Sequence, residues 1–254
     1  MSAYLAFTKK EGLAVLRNGK LLLLTVIFLL LGLMNPLIAK FTPDLISSLS
    51  LEGISLTVPT PTAFDSWTQY YKNLPQFGLI ILVIVFSSSL TSELTKGTLV
   101  NMLTKGLPRT TVIFSKLTVS GLLWTLGNLL AFVVTYAYTA FYWPTDQQNH
   151  LFLAASFLWL FGIFLLTSIY LGSVLFFETS GTLLFCGGLV ACLFLANIFP
   201  KVSEYNPLYL VSQNLQLING SLQLSDFYPS ILVTLIWIIF SLIASCLIFN
   251  KKAL

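Results

Sequence analysis

Long runs of apolar residues, each about as long as a bilayer is thick, constrain this chain more than any other feature. Leu21–Ala39 contains no charged residue and is bracketed by Lys20 and Lys40. At ~1.5 Å per residue a helix of that length reaches about 29 Å, close to the hydrocarbon thickness. Comparable runs recur along the 254 residues. Only 9% of the residues are charged and 56% are hydrophobic, whereas a soluble domain carries roughly 25% charged residues. So little charge cannot cover a water-facing surface, and the bilayer is the solvent.

The reading is an all-α polytopic membrane protein with six transmembrane helices, one domain over residues 1–254. The spans fall at about 21–39, 77–91, 117–143, 151–177, 181–199 and 229–249. Residues 2–18 mix Lys9, Lys10 and Arg17 with Tyr4, Phe7, Leu13 and Leu16. They predict an interfacial helix before an uncleaved first span. Asn35-Pro36 lies near the outer end of that span and reads as a helix end where proline is tolerated, or as a bend at the substrate path. Residues 40–76 read as an outer loop broken by Pro59 and Pro61. Within it Phe64, Trp67, Tyr70 and Tyr71 are spaced for a short helix lying at the interface.

Polar residues inside the runs are few. Ser87, Ser88 and Ser89 can line a polar path or bond back to their own helix. Asn128, in the middle of the third span, can line the same path or join two helices. Glu178 adjoins a tight turn at which Thr179 or Ser180 caps the fifth span. Gly188, Cys192 and Ala196 form a small-residue stripe on that span, suited to a subunit interface or to packing within the chain. Cys186, Cys192 and Cys246 all lie in apolar runs, and an odd number of them makes no disulfide framework. His150 has no ligand cluster around it. No metal and no cofactor is expected in this chain.

The cations set the orientation. With both termini cytoplasmic, Lys9, Lys10, Arg17, Lys20, Lys96, Lys105, Arg109, Lys116, Lys251 and Lys252 lie inside, and Lys40, Lys72 and Lys201 outside. That is the positive-inside pattern. It also accounts for the net charge of +4 without a nucleic-acid partner, because no aromatic-basic interleaving lies on a soluble face.

The most distinctive polar stretch is Glu93–Lys116, between the second and third spans. Gly97-Thr98 can open a short helix, Leu99, Val100, Met102 and Leu103 give it an apolar side, and Gly106 can close it. Pro108 interrupts the run, and Thr110 or Thr111 can cap the helix that follows. No Gly-x-x-x-x-Gly-Lys-Ser/Thr phosphate loop occurs anywhere in the chain. Any ATP-driven work therefore draws on another polypeptide.

Glu93, Gly97, Thr98, Leu103, Arg109 and Lys116, in this order after the second of six spans, resemble the cytoplasmic loop of the ABC-2 type permeases. These are the membrane subunits of ATP-binding-cassette exporters. The Tyr205-Asn206-Pro207-Leu208 stretch before the last span is similar too, in a region where that family carries short outer helices. The resemblance implies a coupling helix seated in a groove of an ATPase, two ATPase subunits that bind ATP and Mg, and a second permease subunit, identical or homologous. It implies contact by Leu99, Met102 and Leu103, electrostatic positioning by Lys105 and Arg109, and a substrate path lined mainly by the first, second and fifth spans. It further implies a bacterial plasma-membrane setting and an amphiphilic substrate, such as a peptide, lipid or drug, with antimicrobial-peptide export or immunity as a common role. The rival readings are an ATP-independent transporter, which calls for ionisable groups in the spans, and a bacteriocin-immunity or scaffold protein.

Overall fold

The structure, a computed structural model, describes residues 3–49, 60–146 and 148–252. Pro59 and residues 50–58 of the expected outer loop lie outside these residues. Six helices are long and apolar enough to cross a bilayer: Lys20–Asp44, Ala63–Thr95, Arg109–Tyr142, Leu151–Phe176, Thr179–Ala196 and Leu224–Lys251. The chain is a multi-pass α-helical membrane protein, with the six spans in the order the sequence predicts.

Helix α1 (Ala3–Arg17) is separated from α2 (Lys20–Leu49) by Asn18-Gly19, where Gly19 adopts φ +67°. That left-handed turn is open to glycine at little cost. Phe7 and Glu11 of α1 are buried. The Tyr4 hydroxyl hydrogen-bonds to that of Thr118, so this helix docks onto the third span.

Two expectations about the first two spans are corrected. The first span does not end at Asn35-Pro36. Proline at 36 has no N–H for the carbonyl of residue 32. The Thr135 hydroxyl donates to the Gly32 carbonyl at 2.9 Å instead, and α2 continues through Pro36 and Pro43. Asn35, fully buried, accepts a hydrogen bond from Asn73 Nδ2 at 3.0 Å.

Nor does the aromatic stretch form a short helix separate from the second span. Helix α3 (Ala63–Asn73) runs through a π-helical turn at Leu74–Gly78 into α4 (Leu79–Thr95). Trp67, Tyr70 and Tyr71 of α3 are buried. The π turn accommodates Pro75, which a regular α-helix interior would not.

Helix α5 (Thr98–Thr104) is followed by α6 (Arg109–Tyr142), α7 (Leu151–Phe176) and α8 (Thr179–Ala196). The expected hydroxyl caps are absent. Pro108 precedes α6 in extended backbone, and Glu178 holds the position before α8, neither making a side-chain cap. Thr179 bonds Thr91 across the bundle at 2.8 Å instead. Short helices α9 (Pro200–Ser203), α10 (Tyr209–Ser212) and α11 (Asn214–Ile218) cross the far end before α12 (Tyr228–Lys251). Asn206 Nδ2 ties them to the Leu193 carbonyl at 2.7 Å.

α7 is the axis of the bundle. Of its apolar stretch 67% is buried, against 11% for α8 and 17% for the last span. Gly162 of α7 permits this packing, because a Cβ there would stand 2.2 Å from the Trp124 ring. Trp124 in turn donates to the Trp159 carbonyl at 3.0 Å.

Candidate functional site

Glycine sets the ends of the helix between the second and third spans. Gly97 (φ +67°) turns the chain out of α4, and Gly106 (φ +91°) ends α5. The Leu107 N–H reaches back to the Met102 carbonyl at 3.2 Å, as in a left-handed helix stop. Thr98 Oγ1 donates to the Glu93 carbonyl at 3.3 Å and holds the first turn. The predicted short helix is therefore formed, between its two predicted glycines.

Its apolar side faces the bundle. Leu99 is fully buried, in a cluster with Phe7, Leu90, Val112, Ile113, Tyr170, Val174 and Phe249. Met102 and Leu103 pack against the same cluster. Leu99 is thus removed from any partner's reach, contrary to the contact role expected of it, and Met102 and Leu103 serve mainly as anchors. The exposed side is Thr98, Asn101, Thr104 and Lys105. Asn101 is exposed on α5 and was not among the residues expected to take part. Its place two positions from buried Leu99, on the opposite side of one helical turn, was the available signal.

Arg109 also has a different part from the one expected. Its guanidinium donates to the carbonyls of Phe249 and Lys252, and to that of Asn250 at 3.4 Å. It lies 5.6 Å from the centre of the Phe249 ring. It caps the end of α12, where unpaired carbonyls and the negative end of the helix dipole favour a cation. Lys252 does the same for α7, donating to the Leu175 carbonyl at 2.9 Å.

Glu93 and Lys116, read from sequence as two ends of a loop, lie inside helices and face each other. Lys116 Nζ donates to Glu11 Oε2 at 2.9 Å and to the Ser89 carbonyl at 3.0 Å. It stands 3.1 Å from Glu93 Oε2, an ion-pair distance at an angle outside that of a hydrogen bond. Lys10 Nζ donates to Glu11 Oε1 at 2.8 Å and to Glu93 Oε1 at 2.7 Å. Two lysines and two glutamates thus close a ring joining α1, α4 and α6. Burial pulls the Lys10 ammonium down, but its bonds to Glu11 and Glu93 outweigh that and hold it above the usual lysine value. Glu93 lies in the last turn of α4 and Lys116 in the second turn of α6. Glu11 was the missed member. It recurs four residues after Phe7 on the buried side of α1, where an acid demands a cation.

The residues proposed for a path do not meet. Ser87 is buried and bonds back to the Ile84 carbonyl at 3.0 Å. Ser88 lies beside it, half-buried. Ser89 lines a polar cavity beside the ring with Lys20, Ser92 and Lys96. Asn128 lines a separate apolar hollow with Phe152 and Trp159, its amide 3.5 Å from the Ala155 carbonyl. A wider groove, about 600 Å³, runs instead between α4, α7 and α8. Its walls are apolar, including Ile80, Val83, Phe161 and Val190, with Lys72 and Gln76 at one end.

Gly188 and Cys192 are exposed and Ala196 half-buried. A Cβ at Gly188 meets nothing within 4 Å. The stripe is not used for packing within this chain.

No protein-family model matches the chain. It is 21% identical over 217 residues, 84% of each chain, to the "Uncharacterized transmembrane protein YxlG" of Bacillus subtilis (strain 168). That similarity agrees with the bundle of spans in describing a membrane protein with several transmembrane helices, and says nothing of activity.

Proposed function

We propose that the chain is the permease subunit of an ABC-2 type exporter in a bacterial plasma membrane. It moves an amphiphilic substrate with energy from ATP hydrolysed by a separate pair of ATPase subunits. The observation that carries this reading is the construction of α5. It is a seven-residue helix held between two spans, with Leu99 buried in the bundle and Thr98, Asn101, Thr104 and Lys105 facing out. A force on the outer side passes through Leu99 to α1, α6, α7 and α12, whose residues surround it. The glycines at both ends let the helix move as a unit.

The groove between α4, α7 and α8 suits the apolar part of such a substrate, and its volume lies within the range of small-molecule sites. The sparsely buried α8, with Gly188 and Cys192 exposed, is where a second permease copy would complete the path. The catalytic chemistry belongs to the ATPase, which also holds ATP and Mg.

The test is co-purification with the ATPase encoded beside this gene. The paired change Asn101→Arg and Lys105→Glu alters only exposed side chains, so it should abolish capture of the ATPase while the permease still inserts. Undiminished capture by that variant would remove α5 as the docking element.

A further inference from the structure

Beside the charge ring lies a cavity of about 220 Å³, walled by α1, α2, α4 and α6. The four charges of the ring cancel: Lys10 and Lys116 against Glu11 and Glu93. Two more lysines, Lys20 at the start of α2 and Lys96 at the end of α4, stand on the cavity wall. Neither joins any of the ion pairs among the described residues. Lys20 donates to the Val85 carbonyl at a long 3.3 Å, which leaves most of its donor capacity unused. Asn18 adds an amide from the turn before α2, and Ser89 and Ser92 add two hydroxyls from α4.

We propose that this cavity is an anion site that takes a phosphate group. Its charge surplus, Lys20 and Lys96, calls for an anion of one to two charges. Its donors come from the turn before α2, from α2 and from α4, which a tetrahedral phosphate meets in several directions at once, whereas a carboxylate accepts in one plane only. The volume is far above the ~10–15 Å³ that one water needs by the same measure, so a phosphate fits with part of its hydration. The group belongs either to a lipid headgroup in the adjacent leaflet or to free phosphate. In either case it lies against Glu93 and Lys116, and its binding stiffens the junction of α1 with the spans. The site is independent of the transport reading and is tested without an ATPase.

The experiment uses the full chain in micelles of dodecyl maltoside, a detergent without phosphate. One arm titrates inorganic phosphate against chloride at constant ionic strength. The other adds phosphatidylglycerol, with retained lipid counted by native mass spectrometry. Thermal unfolding is read in both. The melting midpoint rises in at least one arm. A rise with inorganic phosphate identifies the free ion, and a rise with retained phosphatidylglycerol alone identifies the headgroup. Lys20→Gln weakens the response roughly tenfold, as loss of a charged hydrogen bond does. Lys40→Gln, at the other end of α2, keeps it. Lys96→Gln, changed at an exposed side chain, weakens it several-fold and decides the matter should Lys20→Gln not fold. No response in either arm, or equal responses from wild type and Lys96→Gln, overturns the proposal.

Discussion

Glu11 on α1 and Lys116 on α6 form an ion pair at 2.9 Å, with the lysine side chain 1% exposed and the glutamate 8%. Removing one partner of such a pair leaves the other buried and uncompensated, at a cost of ~3–5 kcal/mol. Lys116→Met is expected to lose about that much, because Lys10 alone then faces both Glu11 and Glu93. The double change Glu11→Gln, Lys116→Met should recover much of the loss, since Lys10 and Glu93 remain as a neutral pair. Thermal unfolding of the two purified variants in detergent separates these outcomes. Equal melting points for Lys116→Met and wild type would mean that water compensates the ring.

The ring also marks the limit of what the chain declares in one dimension. The six spans were legible because charge is scarce and the apolar runs match the bilayer. The glycine-bounded α5 was legible because Gly97 and Gly106 punctuate it. The role of Arg109 was not, because its partners are the backbone carbonyls of Phe249 and Lys252, which carry no side-chain signature. The same holds for the continuation of α2. Pro36 reads locally as a stop, and only the Thr135 hydroxyl at the Gly32 carbonyl removes the reason for one. Glu11 could have been read, since an acid on the apolar side of an amphipathic helix implies a partner.

Arg109→Ala should fray the end of α12. Unpaired terminal carbonyls regain water only if the last turn opens, and capping contributions of this kind are about 1 kcal/mol. Arg109→Lys is expected to restore only part, since all three bonds come from Nη1 at the tip of the side chain, which the shorter lysine does not reach, and the guanidinium's contact with the Phe249 ring is lost. Hydrogen exchange of the amides at 246–252 should quicken in the order wild type, lysine, alanine. Identical exchange in all three would show that the cap is not what holds that turn.

Two glycines predict opposite responses to one added methyl group. Gly162→Ala places a Cβ 2.2 Å from the Trp124 ring, and forcing a packed core apart costs ~1–3 kcal/mol. Gly188→Ala meets open space and should leave folding unchanged or slightly improved, because alanine favours helix by roughly 1 kcal/mol. Paired melting curves read the contrast. A bulkier Gly188→Trp, neutral for the isolated chain, should reduce self-association if a second copy packs on α8, as cross-linking through Cys192 would register.

Lys10 gives a pH dependence with a definite sign. Its folded-state value is held above the usual 10.5 by Glu11 and Glu93 after burial has pulled it down. The stabilisation it supplies is therefore fully present below 10.5 and is lost as pH rises through the raised folded value. The difference in melting point between wild type and Lys10→Gln should accordingly stay constant from neutral pH to about pH 10 and shrink only above it. Lys9, on the same helix and outside the ring, is the control: Lys9→Gln should follow wild type at every pH. A wild-type advantage over Lys10→Gln that already fades near neutral pH would mean that the ammonium is not held by the two carboxylates as the geometry requires.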